Sequence, residues 1–446
     1  MKRMIETIRN IWSIEDLRKR ILYTFGLIFV YRIGSFIILP GINPALLTLE
    51  NAQKGLLGLF DMFAGGSFSR ASIFALGIMP YISASIAMQL LTIAVPSFAK
   101  LQKEGESGQK RINQYTRWLT VIVTAFQALA YVTYLRQQSG AAILPQFSPF
   151  FFAFSTIVVL TAGTLFVMWL GEKITDKGIG NGASIIIEIG ILARLPHALV
   201  AEFNAKNTSG GGGLLIFLIE IAFLVLVVMG LVVLVQGTRK VPVNYAKRMV
   251  GTRQIGGVRQ FLPLKVNAAG VMPIIFAQAI MFIPMTVVGF TNPESQTGGF
   301  IRALSDYTSF WYNLIYGFMV IIFTYFYTAL IFNPTQIADE MKRNNGFIPG
   351  VKPGKPTAEF IGSIMDRITL PGAFFLAIVG ILPGFAHALG VNTVFASFFG
   401  GTSLLIIVGV ILDTLQQIES QLLMRHYDGL MKSGRIAGRA AQMTTT

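Results

Sequence analysis

The chain has no cysteine, only three histidines and only 21 acidic residues in 446. Without cysteine there are no disulfides, no iron–sulfur clusters and no thiol chemistry. His197, His387 and His426 stand at isolated positions, and there is no His-Glu-x-x-His string, which excludes a zinc site of that kind. A Gly-x-Ser-x-Gly elbow is also missing, as is the Gly-x-x-x-x-Gly-Lys-Ser/Thr loop used for ATP. No catalytic constellation remains, so neither an enzyme nor a bound cofactor or metal is expected. Charge is scarce as well. Charged residues make up 13% of the chain, against about 25% in soluble domains. A hydrophobic share of 53% and a mean hydropathy of +0.62 point to a membrane protein and exclude a disordered one.

What is present is a series of apolar runs. A bilayer core of about 30 Å needs about 20 apolar residues per helix. Ten candidate spans fall near 21–40, 72–92, 118–135, 151–171, 184–201, 214–236, 268–290, 313–333, 369–389 and 396–415. The fifth is the least clear, because Glu188, Arg194 and Pro196 interrupt it. The first runs into Leu39-Pro40-Gly41 rather than a small-residue cleavage site, so it is not read as a cleavable signal peptide.

Lysine and arginine set the orientation. With the amino terminus inside, 29 of the 36 cationic residues fall in cytosolic segments and 6 in outer ones, with Arg32 inside the first span. This bias puts both termini in the cytosol and requires an even number of spans. The expected organisation is an amphipathic amino terminus at 1–20, a first half at 21–201, a second half at 214–415 and a cytosolic tail at 416–446. Two cytosolic loops are long, 237–265 and 334–368. The first carries Arg239, Lys240, Lys247, Arg248, Arg253, Arg259 and Lys265 with no acid. Such a loop is either an orientation signal or a docking surface for an acidic partner or RNA. Its length favours docking.

The chain repeats itself. Ala75-Leu76-Gly77-Ile78-Met79-Pro80-Tyr81-Ile82 matches Ala268-Ala269-Gly270-Val271-Met272-Pro273-Ile274-Ile275. Gly182-Ala183-Ser184-Ile185-Ile186-Ile187 parallels Gly401-Thr402-Ser403-Leu404-Leu405-Ile406. Both matches lie five spans apart. Five is odd, so the halves insert in opposite senses, the plan of many membrane transport proteins. Gly77 with Pro80, and Gly270 with Pro273, are expected to interrupt helices where a cavity satisfies the freed backbone.

Ile78 and Ile82 share a helical face, as do Ile187 and Ile191. The repeat relates Ile82 to Ile275 and Ile187 to Ile406. An isoleucine stripe is more often packed or lipid-facing, but the paired positions suggest an aliphatic ring that dewets and blocks ions. Residues 55–71 are apolar and too short to span. They fit either a re-entrant or interfacial element or an ordinary packed outer loop. Intramembrane ionisable residues are few: Arg32, Glu188, Glu220 and Asp413. Arg32 and Asp413 read as snorkelling or structural, and the scarcity argues against an ion-driven carrier.

Several strings resemble the SecY family, the channel subunits of bacterial protein translocases. They are residues 74–91, Trp169-Leu170-Gly171-Glu172 followed by Gly178-Ile179-Gly180-Asn181-Gly182, Pro242-Val243-Asn244-Tyr245-Ala246-Lys247-Arg248, Leu262-Pro263-Leu264-Lys265-Val266-Asn267, and Phe399-Gly400-Gly401-Thr402-Ser403-Leu404-Leu405-Ile406. The resemblance implies an all-α integral membrane protein, an hourglass of ten helices in two inverted pseudosymmetric halves. It implies a protein-conducting channel of the cytoplasmic (inner) membrane that also inserts membrane proteins laterally. The pore ring would be Ile78, Ile82, Ile187, Ile191, Ile275 and Ile406. A plug would close the outer funnel with Leu59, Phe60, Asp61, Met62, Phe63, Gly65, Gly66, Phe68 and Ser69. Gln89, Gln127 and Gln278 would tune a lateral gate between spans two and three and spans seven and eight. Arg239, Lys240, Lys247, Arg248, Arg253 and Lys352 would dock the ribosome or the SecA motor. Implied partners are also SecE, SecG, signal peptides, nascent membrane proteins and membrane lipids. Lys352 stands where the family usually carries arginine before Pro-Gly, which keeps the charge and loses the bidentate fork.

Overall fold

The computed structural model describes residues 12, 14–47, 61–139, 142–146, 148–208, 213–245, 248–250, 253–255, 259–278, 280–281 and 309–432. Its long elements are helices: α1 (Glu15–Gly34), α2 (Met79–Ala94), α3 (Pro96–Lys103), α4 (Glu106–Ser139), α5 (Pro149–Lys177), α6 (Gly182–Thr208) and α7 (Gly213–Gln236). A strand region follows, with β1 (Thr238–Tyr245), β2 (Arg248–Val250), β3 (Arg253–Ile255) and β4 (Arg259–Lys265). The chain continues through α8 (Phe310–Ile331), α9 (Pro334–Arg343), β5 (Gly346–Phe347), α10 (Lys355–Ala388), α11 (Thr393–Ala396) and α12 (Gly401–Lys432).

Among the described residues, seven helices are long and apolar enough to cross a bilayer. They become eight if α2 and α3, bent by 101° around Val95, count as one broken span. These helices turn large apolar side chains outward. On α7, Leu226, Met229 and Val233 are exposed, an arrangement that suits contact with lipid. The chain is therefore a multi-pass membrane protein. Eight of the ten expected spans lie on these helices. The expected first span lies on α1, whose Arg18, Lys19, Arg20 and Arg32 break its apolar character. The expected seventh runs past residue 281 and beyond the described residues.

Some boundaries differ from the sequence expectation for a physical reason. The second span was expected from residue 72, but the chain makes successive turns until Met79, and the helix starts there. Pro80 sits in the first turn, where its missing N–H costs nothing. Pro273 likewise lies at the start of a helical stretch at 272–278. Neither proline interrupts a helix. The breaks come earlier, at Gly77 and Gly270, with φ of 55° and 64°. That left-handed conformation suits glycine.

The described parts of the two long segments, 237–265 and 334–368, are folded. β1 pairs antiparallel with β4, from Thr238↔Lys265 to Asn244↔Arg259, and β5 adds two residues on the other side of β1. Pro263 lies on edge strand β4, and Pro242 lies where β5 does not reach, so neither removes a needed ladder bond. Val241, Val243 and Leu264 pack with Met341, Ile348, Ile361 and Met365 into a small core under the sheet. Residues 355–368, expected as loop, are the first turns of α10.

The contacts divide the chain into two units. The first is Met1–Arg194 with Val410–Thr446, and the second is Leu195–Gly409, so both cuts fall within helices, α6 and α12. In the first unit the loop before α6 is bound by three helices. Thr24 of α1 accepts from Ile179 N, Thr175 of α5 accepts from Gly182 N, and Gln417 of α12 accepts from Gly180 N. In the second unit α8 packs along α10 through small residues. A Cβ on Gly317 would lie 2.6 Å from Ile381, and one on Gly380 3.1 Å from Tyr316. Glycines at such crossings let two backbones approach closely.

Candidate functional site

The first unit holds four of the expected ring positions. Ile78 precedes α2 and accepts the first helical bond from Ile82 N at 3.2 Å. Ile78, Ile187 and Ile191 are buried and Ile82 is half-buried. The second unit holds the other two, with Ile406 buried near the start of α12 and Ile275 half-buried in the 272–278 stretch. That stretch also reaches α12 through a hydrogen bond from Thr402 Oγ1 to Gln278 Oε1 at 3.4 Å.

The segment before α2 is described from Asp61 onward, so Leu59 and Phe60 lie outside the described residues. It is helical only at 61–63 and then runs in turns. Every residue from Asp61 to Phe68 is buried. Gly65 and Gly66 take φ of 64° and 82° and fold the chain back, so that Gly66 N donates to Asp61 O at 2.7 Å. Asp61 Oδ1 accepts from Ser69 N at 2.7 Å, and its other oxygen pairs with Arg194 of α6. Arg194 also donates to Ser69 Oγ at 3.0 Å. The Gly65 carbonyl accepts from Arg32 of α1 at 3.1 Å and from Arg70 at 2.9 Å. Both guanidiniums lie over the Phe36 ring, at 4.9 and 4.5 Å from its centroid. Burial, and then the charge of Arg32, lower the pKa of Arg70 below its ordinary value. On the far side Phe68 packs edge-on to Tyr131 of α4 at 4.7 Å, and the Tyr131 hydroxyl donates to Phe68 O at 2.7 Å. The segment is thus a buried element held by polar side chains of three helices, α1, α4 and α6.

The glutamines expected at a gate are dispersed. Gln89 is exposed on α2, Gln127 is half-buried on α4, and Gln278 lies in the second unit. Of the docking residues, Arg239 and Lys240 stand exposed on β1, and Lys352 is exposed at a turn just before α10. That turn is fixed by Thr357 Oγ1 donating to Lys352 O at 2.8 Å and by Gly354 at φ 103°. Arg248 and Arg253 lie on the β2–β3 hairpin, and Lys247 lies outside the described residues.

Sequence reasoning missed two polar clusters. Arg32 and Arg194 were visible only as charges in apolar runs, and the structure gives both to the 61–78 segment. In the second unit Lys206 pairs with Glu202 at 3.5 Å and Glu220 at 3.1 Å, and donates to Gly390 O at 3.0 Å. Glu202 also accepts from Asn392 N at 2.9 Å. Glu220 was flagged as an intramembrane charge, and this is its partner. A polar cavity of about 260 Å³ lies in the first unit beside Ile78. It is lined by Tyr81, Thr116, Arg117, Glu172 and Asp176 among others. Arg117 and Glu172 form a two-armed ion pair there at 2.9 and 2.8 Å.

The family model for SecY matches residues 72–415. The chain belongs to the SecY family. It is 43% identical to the protein translocase subunit SecY of Streptomyces coelicolor, over 96% of this chain and all of that one. It is 41% identical to that of Chlamydia trachomatis, over 97% and 99%. Two solved structures share its fold. One, described as the structure of a protein conducting channel, has a TM-score of 0.62 at 16% identity and covers 90% of this chain and 92% of its own. The other is Sec61 in the canine ribosome–channel complex from the endoplasmic reticulum, with a TM-score of 0.59, 16% identity and the same coverages. The SecY family is one of channel subunits and is not a known enzyme family.

Proposed function

We propose that this chain is the polypeptide-conducting subunit of a protein translocase. It passes secretory chains across the cytoplasmic membrane and releases membrane segments sideways into lipid, with both termini in the cytosol. The observation that carries this reading is the end-to-end similarity to SecY translocase subunits of two distant bacteria. The chemistry of the residues agrees with it. An aliphatic ring of Ile78, Ile82, Ile187, Ile191, Ile275 and Ile406 offers a passing chain no strong polar contact. Side chains of any type can slide through, and the ring closes around them against ions. The segment from Leu59 to Ser69 acts as the plug. A signal peptide is an apolar helix, and it enters the lateral gate with about 0.8 kcal/mol per buried methylene.

The chain has no ATP-binding loop, so the energy comes from partners. The exposed cations of β1 and Lys352 dock an acidic or RNA-bearing partner, the SecA motor or the ribosome. Fold neighbours that are themselves ribosome complexes support the ribosome. SecE and SecG complete the channel.

The test is reconstitution into vesicles with SecE and SecG. The reading expects protease-protected import of a secretory precursor on addition of SecA and ATP. Absence of import, together with measurable uptake of a small solute, overturns it in favour of a secondary carrier.

A further inference from the structure

We infer that the Asp61–Arg194 ion pair is a latch between the plug and α6, and that its strength sets how effective a signal peptide must be to open the channel. The inference rests on the proposed function and concerns positioning residues within it.

Three guanidiniums, Arg32, Arg70 and Arg194, converge on one turn, and among the described residues Asp61 is the only acid that pairs with any of them. Asp61 and Ser69 mark the two ends of the folded-back turn, and Arg194 reaches both. One turn earlier on α6, Gly190 lies against the plug backbone. A Cβ there would fall 2.5 Å from the Phe63 carbonyl oxygen. Gly190 and Arg194 are thus a notch and a peg on one face of α6, because residues four apart are neighbours on a helix. Ile187 and Ile191 lie on the adjacent face of the same helix, about 60° away at 3.6 residues per turn. A chain that displaces the ring isoleucines therefore displaces the dock.

Among its described residues the plug is helical at 61–63 and otherwise runs in turns. Releasing it breaks side-chain bonds and leaves the helices intact. Because the pair is buried, with Asp61 at 1% and Arg194 at 13% side-chain exposure, its attraction is little screened by water. Neutralising Asp61 leaves three cations facing one another.

The experiment is a double-mutant cycle in the complete translocase, exporting one reporter with an intact and one with a defective signal sequence. Asp61→Asn and Arg194→Gln should each raise the ratio of defective to intact export by roughly tenfold, since breaking one half of a buried pair is costly. The double variant should be no worse than the stronger single. Arg194→Lys, which keeps the charge, should stay close to the parent ratio. General destabilisation lowers both exports and leaves the ratio unchanged. Unchanged ratios in the single variants, or additive effects in the double, overturn the latch. If Asp61→Asn does not accumulate, Gly190→Ala decides, since it shifts the plug while keeping every charge. A raised ratio supports the dock and an unchanged one overturns it. Failure of the unmutated protein to export the intact reporter counts against the proposed function instead.

Discussion

Among the described residues, each unit holds a charged cluster that is largely buried, and the two clusters hold different things. In the second unit Lys206 ties Glu202 on its own helix to Glu220 of α7 and to the turn at Gly390, with Asn392 closing on Glu202. Everything it fastens is a helix or a helix-terminal turn. In the first unit Arg32, Arg70, Arg194 and Asp61 fasten a segment that is mostly turns. The same chemistry serves two ends. A cluster between helices cannot open without loosening the packed unit, whereas one that holds turns can release them and leave the helices standing. The first is a staple and the second a catch.

The largest effect that would separate them is on stability. Lys206→Met removes the cation that pairs with two buried carboxylates, Glu202 and Glu220, and breaking such a set costs about 3–5 kcal/mol. Thermal unfolding in detergent should fall well below that of the parent, and export of all substrates should fall together. Asp61→Asn, by contrast, should alter signal stringency with little change in the unfolding midpoint. Equal losses of stability in the two variants would break the distinction.

Next in size is the packing of the second unit. Gly380→Val would drive a side chain into Tyr316, and overpacking of this kind costs about 1–3 kcal/mol. A lowered unfolding midpoint, with unchanged signal stringency in whatever protein remains folded, would show that unit acting as scaffold. A raised ratio of defective to intact export would show it sharing the gating role.

Much of this architecture was legible in the sequence because its signals are local. Apolar runs of about 20 residues mark helices without tertiary information, and the paired Gly-x-x-Pro strings mark two helix starts of the same geometry. The reading erred where a residue's place depends on its neighbours. In sequence, Pro80 and Pro273 read as interruptions of a helix, although proline is equally at home in a first turn. Residues 237–265 read as a loop because their strands alternate over only a few residues, and the core beneath them comes from α9 and α10. Arg194 looked like a flaw in the fifth span. Its partner lies far away in sequence, and no periodicity connects a carboxylate in one segment with a guanidinium in another. The rule that intramembrane charges are functional candidates drew notice to Arg32 and Glu220 but could not name their partners.

The aliphatic positions offer a sharper test at moderate size. Ile406→Asn and Ile187→Asn place an amide at a buried site in the second and first unit respectively. A buried amide without a partner costs about 1–3 kcal/mol. Both should weaken the closed state, seen as faster ion leak through vesicles and better export of defective signals. Ile82→Asn, at a half-buried position, should do less. If only first-unit substitutions leak, closure belongs to the catch alone and Ile406 is packing.

The smallest effects should come from the sheet of β4, β1 and β5. Arg239 and Lys240 are exposed on β1 and opposite Leu264 and Pro263 of β4. Exposed substitutions usually stay within about 0.5 kcal/mol of neutral for folding. Arg239→Glu with Lys240→Glu should therefore leave the unfolding midpoint and the signal stringency unchanged. What should fall is the binding of the motor or ribosome, and with it the rate of export, by a few-fold. The loss should shrink as salt rises, because ions screen exposed charges beyond about 10 Å at 0.1 M. Parent and variant should converge at high ionic strength, since only the parent's docking has electrostatic attraction to lose. A rate defect that persists unchanged in salt would mean that these cations act through the fold, and the sheet would then belong with the staple.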